Sequence, residues 1–201
     1  MTGVLSRAEL LRRGIGGGAA LAVSGGGLAA LAAPAGAATV PDNDLAYLRL
    51  LGAAELLKGD FQTKALAAGK LTGSAASLVR QMQADDKAHY ASLSILTNDA
   101  GQPPPTADDI DFTYPARTFA TQGSIVKLAR ELAGLTLGAY LGAIESVQTS
   151  SLRLPIGQIA ANEAQQAGAL AQLLGRAQVG HAFAPSLSID AVSAQLDRFE
   201  S

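Results

Sequence analysis

The sequence predicts an all-α protein: four long helices in a bundle, one long crossover between the second and third, and a short C-terminal helix. Apolar residues recur at helical spacing in four stretches after residue 40. A connector with four prolines, residues 101–122, separates the second stretch from the third. No alternation of apolar and polar residues indicates a strand in this part of the sequence.

We expect helices at approximately 42–68, 74–98, 123–147 and 155–177, with a closing helix over 188–199. The short connections at 69–73 and 149–154 predict two antiparallel hairpins. The middle connector could extend to about 75 Å, which exceeds the roughly 36 Å length of each helix. Its length therefore favours a bundle with a single crossover, over residues 42–177, followed by a tail at 178–201.

Composition excludes several classes of function. The 201 residues include no Cys, which excludes thiolate metal sites, thiol catalysis and disulfides. The formal charge is −2 and aromatic residues make up 4 %, so a nucleic-acid partner is not expected. The formation of a homo-oligomer and the identity of any physiological partner stay open.

Residues 1–38 have the composition of an export signal. Arg7, Arg12 and Arg13 precede a run of uncharged residues from 14 to 33, and small residues follow at 34–38. The glycine-rich run resembles twin-arginine signals, although the arginine pair is displaced from the motif. We expect an extracytoplasmic protein, either periplasmic, in the cell wall or secreted, with no membrane attachment once the signal is removed. An uncleaved N-terminal anchor is the alternative, because the run is long enough to span a bilayer.

Polar residues interrupt the predicted buried seams near the middle of the helices. The second helix places Asp86 and His89 on a seam of steps of three and four, and the fourth places Glu163 and Gln166 on another. Glu55 and Lys58 lie on the seam of the first helix, and Glu131 lies on that of the third. Antiparallel pairing would bring the four acids to one level of the bundle.

Four carboxylates in a core need protons, a cationic side chain or metal ions to be tolerated. Carboxylates and imidazole from four helices are the ligand set of a di-iron or di-manganese centre. These residues could also lie outside a metal site. Glu131 would pair with Lys127 on the solvent face, and a small rotation of the second helix would exchange Asp85 for Asp86.

Residues 43–177 resemble the ferritin-like superfamily, especially exported bacterial proteins related to the plant desiccation-related proteins. The resemblance rests on the following segments: Ala54-Glu55-Leu56-Leu57-Lys58, Asp86-Lys87-Ala88-His89, Glu131 with Ala139-Tyr140-Leu141-Gly142, and Glu163-Ala164-Gln165-Gln166. The family pattern has Glu-x-x-His in both the second and the fourth helix.

The resemblance implies a ferritin-like four-helix bundle that binds iron or manganese. Glu55 and His89 would bind one ion, Asp86 and Glu163 would bridge, and Glu131 would bind a second ion with Gln166. Ferroxidase or other oxygen chemistry is the strongest form of this function, and whether the protein is an enzyme stays open.

This chain departs from the family pattern in ways that weaken the second metal position. Asp86 is shorter than Glu, Gln166 replaces a His, and Lys58 places an ammonium one turn from Glu55. The sequence therefore supports two hypotheses. One is a degenerate site that binds a single ion. The other is a metal-free structural or stress-related bundle whose carboxylates are neutralised by Lys58 or by protons.

Overall fold

The computed structural model describes residues 40–180 and 182–201. The predicted export signal and its alternative as an anchor lie outside the described residues. The all-helical fold is confirmed, with the following helices: α1 (Asp42–Ala67), α2 (Gly73–Asp99), α3 (Gln122–Ser146), α4 (Ser150–Leu173) and the short α5 (Ile189–Leu196). The described residues contain no strand, and their β pairing is one isolated bridge between Phe112 and Glu200. None of the described helices is long and apolar enough to cross a membrane.

Contacts at both ends of the bundle show that α1 and α3 are antiparallel. At one end, Asn43 at the start of α1 donates a hydrogen bond to the carbonyl of Ser146 at the end of α3 (3.2 Å). At the other end, the backbone N–H of Thr72 donates to Oε1 of Gln122, the first residue of α3 (2.9 Å). The chain must therefore travel the length of the bundle between α2 and α3, as the long connector predicts.

The crossover is fastened to α1 and α2 along its course. Arg49 donates to the carbonyl of Pro103, and the Tyr90 hydroxyl donates to the carbonyl of Pro105 (2.6 Å). Further along, the Tyr114 hydroxyl donates to Asp60 Oδ2 (2.7 Å). Because the crossover packs on the bundle, it covers a side of α1 that would otherwise face solvent.

Helix α1 is enclosed on nearly all sides. It packs against α2, α3 and α5, and the crossover lies over it. Its buried residues include the polar side chains of Glu55, Lys58 and Gln62 as well as five of its seven leucines. A helix buried all round carries its polar residues into the core, where they need partners within the protein.

The prediction that α4 begins at Pro155 is wrong, because the helix begins at Ser150 and includes the proline. Asp44 is buried and accepts hydrogen bonds from the backbone N–H groups of Gln148 (2.9 Å) and Thr149 (2.7 Å). Leu152 is also buried in the core. The Asp44 carboxylate and the packing of Leu152 therefore allow the helix to begin before the proline. The loop between α3 and α4 consists of residues 147–149.

Candidate metal centre

Side chains from three helices meet in the middle of the bundle. Glu55 of α1, Asp86 and His89 of α2, and Glu163 of α4 each offer one ligand atom, and these atoms lie within 4.8 Å of one another. The three carboxylates are buried and His89 is 11 % exposed. The structure thus brings together four of the six residues that the sequence proposes as metal ligands, and we call them the acid–histidine cluster.

The ammonium of Lys58 lies among these carboxylates. Its Nζ is 2.5 Å from Glu163 Oε1 and 2.9 Å from Asp86 Oδ1. Glu55 Oε2 lies 3.7 Å away, one turn earlier on the same helix. Lys58 is only 2 % exposed, so its charge faces the carboxylates and not solvent.

Two glutamines complete the surroundings of Asp86. Gln166 Nε2 donates to Asp86 Oδ1 (2.9 Å), and Gln62 Nε2 donates to Asp86 Oδ2 (2.5 Å). Gln166 was proposed as a weak ligand for a second ion. It lies beside the acid–histidine cluster, where it presents its amide N–H to Asp86, while its carbonyl oxygen lies 3.4 Å from Lys58 Nζ.

Tyr140 is the residue through which α3 reaches the cluster. It is fully buried, and its hydroxyl donates to Glu55 Oε1 (2.5 Å). Burial is the first reason that the pKa of Tyr140 is raised, and the negative charge of Glu55 raises it further. Tyr140 is not among the site residues that the sequence predicts. The signal that could have found it is the hydroxyl itself, since a buried tyrosine hydroxyl usually has a polar partner.

The predicted placement of Glu131 in the core is wrong. Its side chain is 44 % exposed and forms an ion pair with Arg198 of the C-terminal segment (3.1 Å). Leu128 and Leu135, which lie about one turn before and after Glu131 on the same face of α3, are both buried in the core. The predicted seam therefore holds at Leu128 and Leu135, and Glu131 interrupts it because its carboxylate turns outward to pair with Arg198.

His89 is held in a strongly acidic environment. Its Nδ1 lies 3.3 Å from Glu163 Oε1, 3.5 Å from Glu55 Oε1 and 3.6 Å from Asp86 Oδ1. Burial by itself would lower the pKa of His89, but its interactions with Glu163 and Glu55 outweigh burial and raise the pKa to about 9. The imidazole therefore carries a proton at neutral pH.

Lys58 is stabilised as a cation in the same way. Burial would lower its pKa, but attraction to Glu55, Glu163 and Asp86 raises the pKa above its ordinary value. Burial raises the pKa of Asp86, and Lys58 opposes that shift. Three carboxylates thus face two cations of the protein itself, so most of their charge is balanced without an ion from outside.

Some buried polar atoms in and beside the acid–histidine cluster make no hydrogen bond within the described residues. They are Oε2 of Glu55, Oε2 of Glu163, Oε1 of Gln62 and Nδ1 of His89. Unsatisfied buried atoms are uncommon in cores and often mark functional positions. The cluster therefore contains two carboxylate oxygens, of Glu55 and Glu163, that make no hydrogen bond, as well as the neighbouring ammonium of Lys58.

An open groove of about 750 Å³ lies between α1, α2 and the crossover. Leu56 and Gly59 of α1, Ala84 of α2 and Ile110 of the crossover contribute to its walls. Glu55 and Asp86 are also part of its lining. The acid–histidine cluster therefore lies directly beside this groove.

The residues present do not fit a two-metal centre. Glu131, the expected ligand of the second ion, is on the surface, and Gln166 offers a neutral amide that is already engaged with Asp86. The acid–histidine cluster has the ligand types of a one-metal site. However, the Lys58 ammonium stands at hydrogen-bonding distance from two of its carboxylates, so a cation would have to displace it.

Four long helices with one crossover, and acidic and imidazole side chains that meet in the core, define a ferritin-like bundle. The ferritin-like domain family matches residues 43–176, which is more than half of the chain, and the protein therefore belongs to this family. No curated protein matches the sequence significantly. The narrower relationship to the desiccation-related proteins stays a prediction.

Proposed function

We propose that this protein is an extracytoplasmic ferritin-like bundle with a structural or stress-related role, and that Lys58 takes the place of a metal ion in its core. The supporting observation is the position of the ammonium, at 2.5 Å from Glu163 and 2.9 Å from Asp86. Breaking such a buried ion pair leaves uncompensated charge in the core. Lys58 and the carboxylates therefore hold α1, α2 and α4 together.

The second candidate is a protein that binds one iron or manganese ion. It is favoured by the four ligand atoms of the acid–histidine cluster, which lie within 4.8 Å of one another. In this alternative the lysine has to leave the carboxylates. The two candidates differ in a measurable quantity, which is the metal content per chain.

Metal analysis of the protein purified from its own host separates the candidates. We expect much less than one iron or manganese per chain, and no stoichiometric Fe(II) uptake under nitrogen or oxidation after an air pulse. One metal per chain that is lost in His89→Ala would contradict the proposal. Glu131→Ala is the matched control, because it removes an acid that lies on the surface of the same bundle.

The proposed location outside the cytoplasm rests on the basic, apolar and small-residue segments of residues 1–38. Cell fractionation with mass measurement of the protein tests it. We expect the protein in the extracytoplasmic fraction with a mass that corresponds to cleavage near residue 38. An intact chain in the cytoplasm would refute export, and an intact chain in the membrane fraction would support the alternative of an uncleaved anchor.

A further inference from the structure

The geometry points to a latent site for one divalent transition-metal ion, masked in this protein by a single side chain, Lys58. This inference rests on the proposed function, because it takes the ammonium to be the occupant of the core. It adds that Glu55, Asp86, Glu163 and His89 keep a competent ligand set. Removal of the Lys58 charge alone would then expose a metal site.

The ligand atoms are already gathered and already buried. One ligand atom from each of the four residues lies within 4.8 Å of the others, and Glu55 and Glu163 are at most 2 % exposed. An ion could therefore be surrounded with little rearrangement. Folding has already brought the carboxylates together, so binding does not have to supply the free energy of ordering them.

Three of these atoms have no competing hydrogen bond. Oε2 of Glu55, Oε2 of Glu163 and Nδ1 of His89 make no hydrogen bond within the part of the chain that the structure describes, and a metal that binds Nδ1 would release the proton of the imidazole to solvent. Lys58 engages the other oxygen of Glu163 and Oδ1 of Asp86. Without the ammonium, Glu55 and Glu163 would each offer a metal an oxygen that makes no hydrogen bond, whereas the oxygens of Asp86 would still accept from Gln166 and Gln62.

The donor set determines the class of metal. Three carboxylates and one imidazole suit Mn(II), Fe(II), Co(II) or Zn(II), whereas Mg(II) and Ca(II) prefer oxygen ligands alone. The groove between α1, α2 and the crossover is lined in part by Glu55 and Asp86, which gives an ion a route to the cluster.

Lys58 blocks this site by charge and by position. Its ammonium lies between 2.5 and 3.7 Å from the three carboxylates, and a divalent ion among the same oxygens would be repelled strongly by it. Met has a similar length and carries no charge, so Lys58→Met removes the cation and fills most of the same volume.

The test is a Co(II) titration of the full-length protein, followed by absorption spectroscopy and by the thermal midpoint. We expect Lys58→Met to bind one Co(II) per chain at least about 100-fold more tightly than the wild type, with a rise in the midpoint. Adding His89→Ala should weaken this binding by at least about 10-fold. Lys64→Met is the matched control, since it removes a lysine of the same helix that is 44 % exposed, and it should behave as the wild type.

The outcomes separate this inference from the proposed function. If the wild type itself binds one Co(II) tightly, the proposed function is wrong and Lys58 masks nothing. If neither the wild type nor folded Lys58→Met binds Co(II), the inference is wrong and the proposed function stands. If Lys58→Met folds only with the metal, the inference is supported. If it does not fold in either condition, Lys58→Gln is titrated instead, and absence of metal-dependent folding or binding there overturns the inference.

Discussion

At the scale of single residues, the buried carboxylate of Glu55 has few hydrogen-bond donors around it. Within the described residues, Oε1 of Glu55 accepts a hydrogen bond from the Tyr140 hydroxyl and lies 3.5 Å from His89 Nδ1. Oε2 of Glu55 makes no hydrogen bond there and lies 3.7 Å from Lys58 Nζ. A buried carboxylate with so few donors is sensitive to the loss of any of them.

Tyr140→Phe is therefore expected to lower the free energy of unfolding by about 1–3 kcal/mol, because it leaves a buried carboxylate oxygen without its donor. Urea denaturation measures the change. Tyr47→Phe is the matched control, since Tyr47 is also buried but makes no side-chain hydrogen bond among the described residues, and it should change the free energy by less than about 0.5 kcal/mol. Equal effects of the two substitutions would contradict the role given to the Tyr140 hydroxyl.

His89 is expected to make stability dependent on pH. Its pKa rises from 6.5 in the unfolded chain to about 9 in the folded protein, so folding favours the protonated imidazole. The resulting stabilisation is complete below pH 6.5 and is lost as the pH rises through about 9. Between pH 6 and pH 10 the wild type should lose up to about 3 kcal/mol relative to His89→Gln in urea denaturation. A constant difference between the two proteins would show that His89 is not held as a cation.

At the scale of elements, the C-terminal segment is held along α3 because two positions of that helix lack a side chain. The backbone N–H of Leu187 donates to the carbonyl of Gly138 (2.9 Å). A Cβ at Gly142 would lie 1.9 Å from the Leu187 carbonyl oxygen. The close approach of this segment therefore requires glycine at position 142.

Gly142→Ala is expected to displace the segment around Leu187 and to lower the free energy of unfolding by about 1–3 kcal/mol. Hydrogen exchange should show reduced protection of the Leu187 amide. Gly59→Ala is the matched control in α1, because a Cβ there meets no atom within 4 Å. It should stabilise the protein by about 0.5–1 kcal/mol through helix propensity. Full protection of Leu187 in Gly142→Ala would contradict the predicted displacement.

At the scale of the whole molecule, ion pairs between residues of this chain join the elements of the bundle. Lys58 of α1 joins Asp86 of α2 and Glu163 of α4. Arg198 joins the C-terminal segment to Glu131 on the outside of α3. The proposed function therefore implies that stability does not depend on a bound metal.

We expect the thermal midpoint of the wild type to be the same with a chelator and with added Mn(II). A single site saturated to 100 times its dissociation constant would add about 2.7 kcal/mol, which corresponds to roughly 5–10 °C in a domain of this size. Differential scanning calorimetry measures the midpoint. A rise of that size with Mn(II) would contradict the lysine-balanced core and favour the one-metal alternative.

The fold was predictable because its signals are local. Helical periodicity and turn residues placed four helices, and the length of the proline-containing connector selected a single crossover. Pro155 was a misleading local signal, since the hydrogen bonds from Gln148 and Thr149 to Asp44 start α4 five residues earlier. Those bonds join residues more than 100 positions apart in the sequence, and no local pattern contains them.

The sequence by itself determined that polar side chains of α1, α2 and α4 interrupt apolar seams near the middle of the bundle, because seam spacing is a property of each helix alone. Only the tertiary structure decided what they meet there. On α3, Tyr140 enters the core, whereas the Glu131 carboxylate turns outward to Arg198 although Leu128 and Leu135 on the same face are buried. Because its neighbours enclose most of α1, the Lys58 ammonium is only 2 % exposed. Its position among the carboxylates follows from packing of the whole bundle.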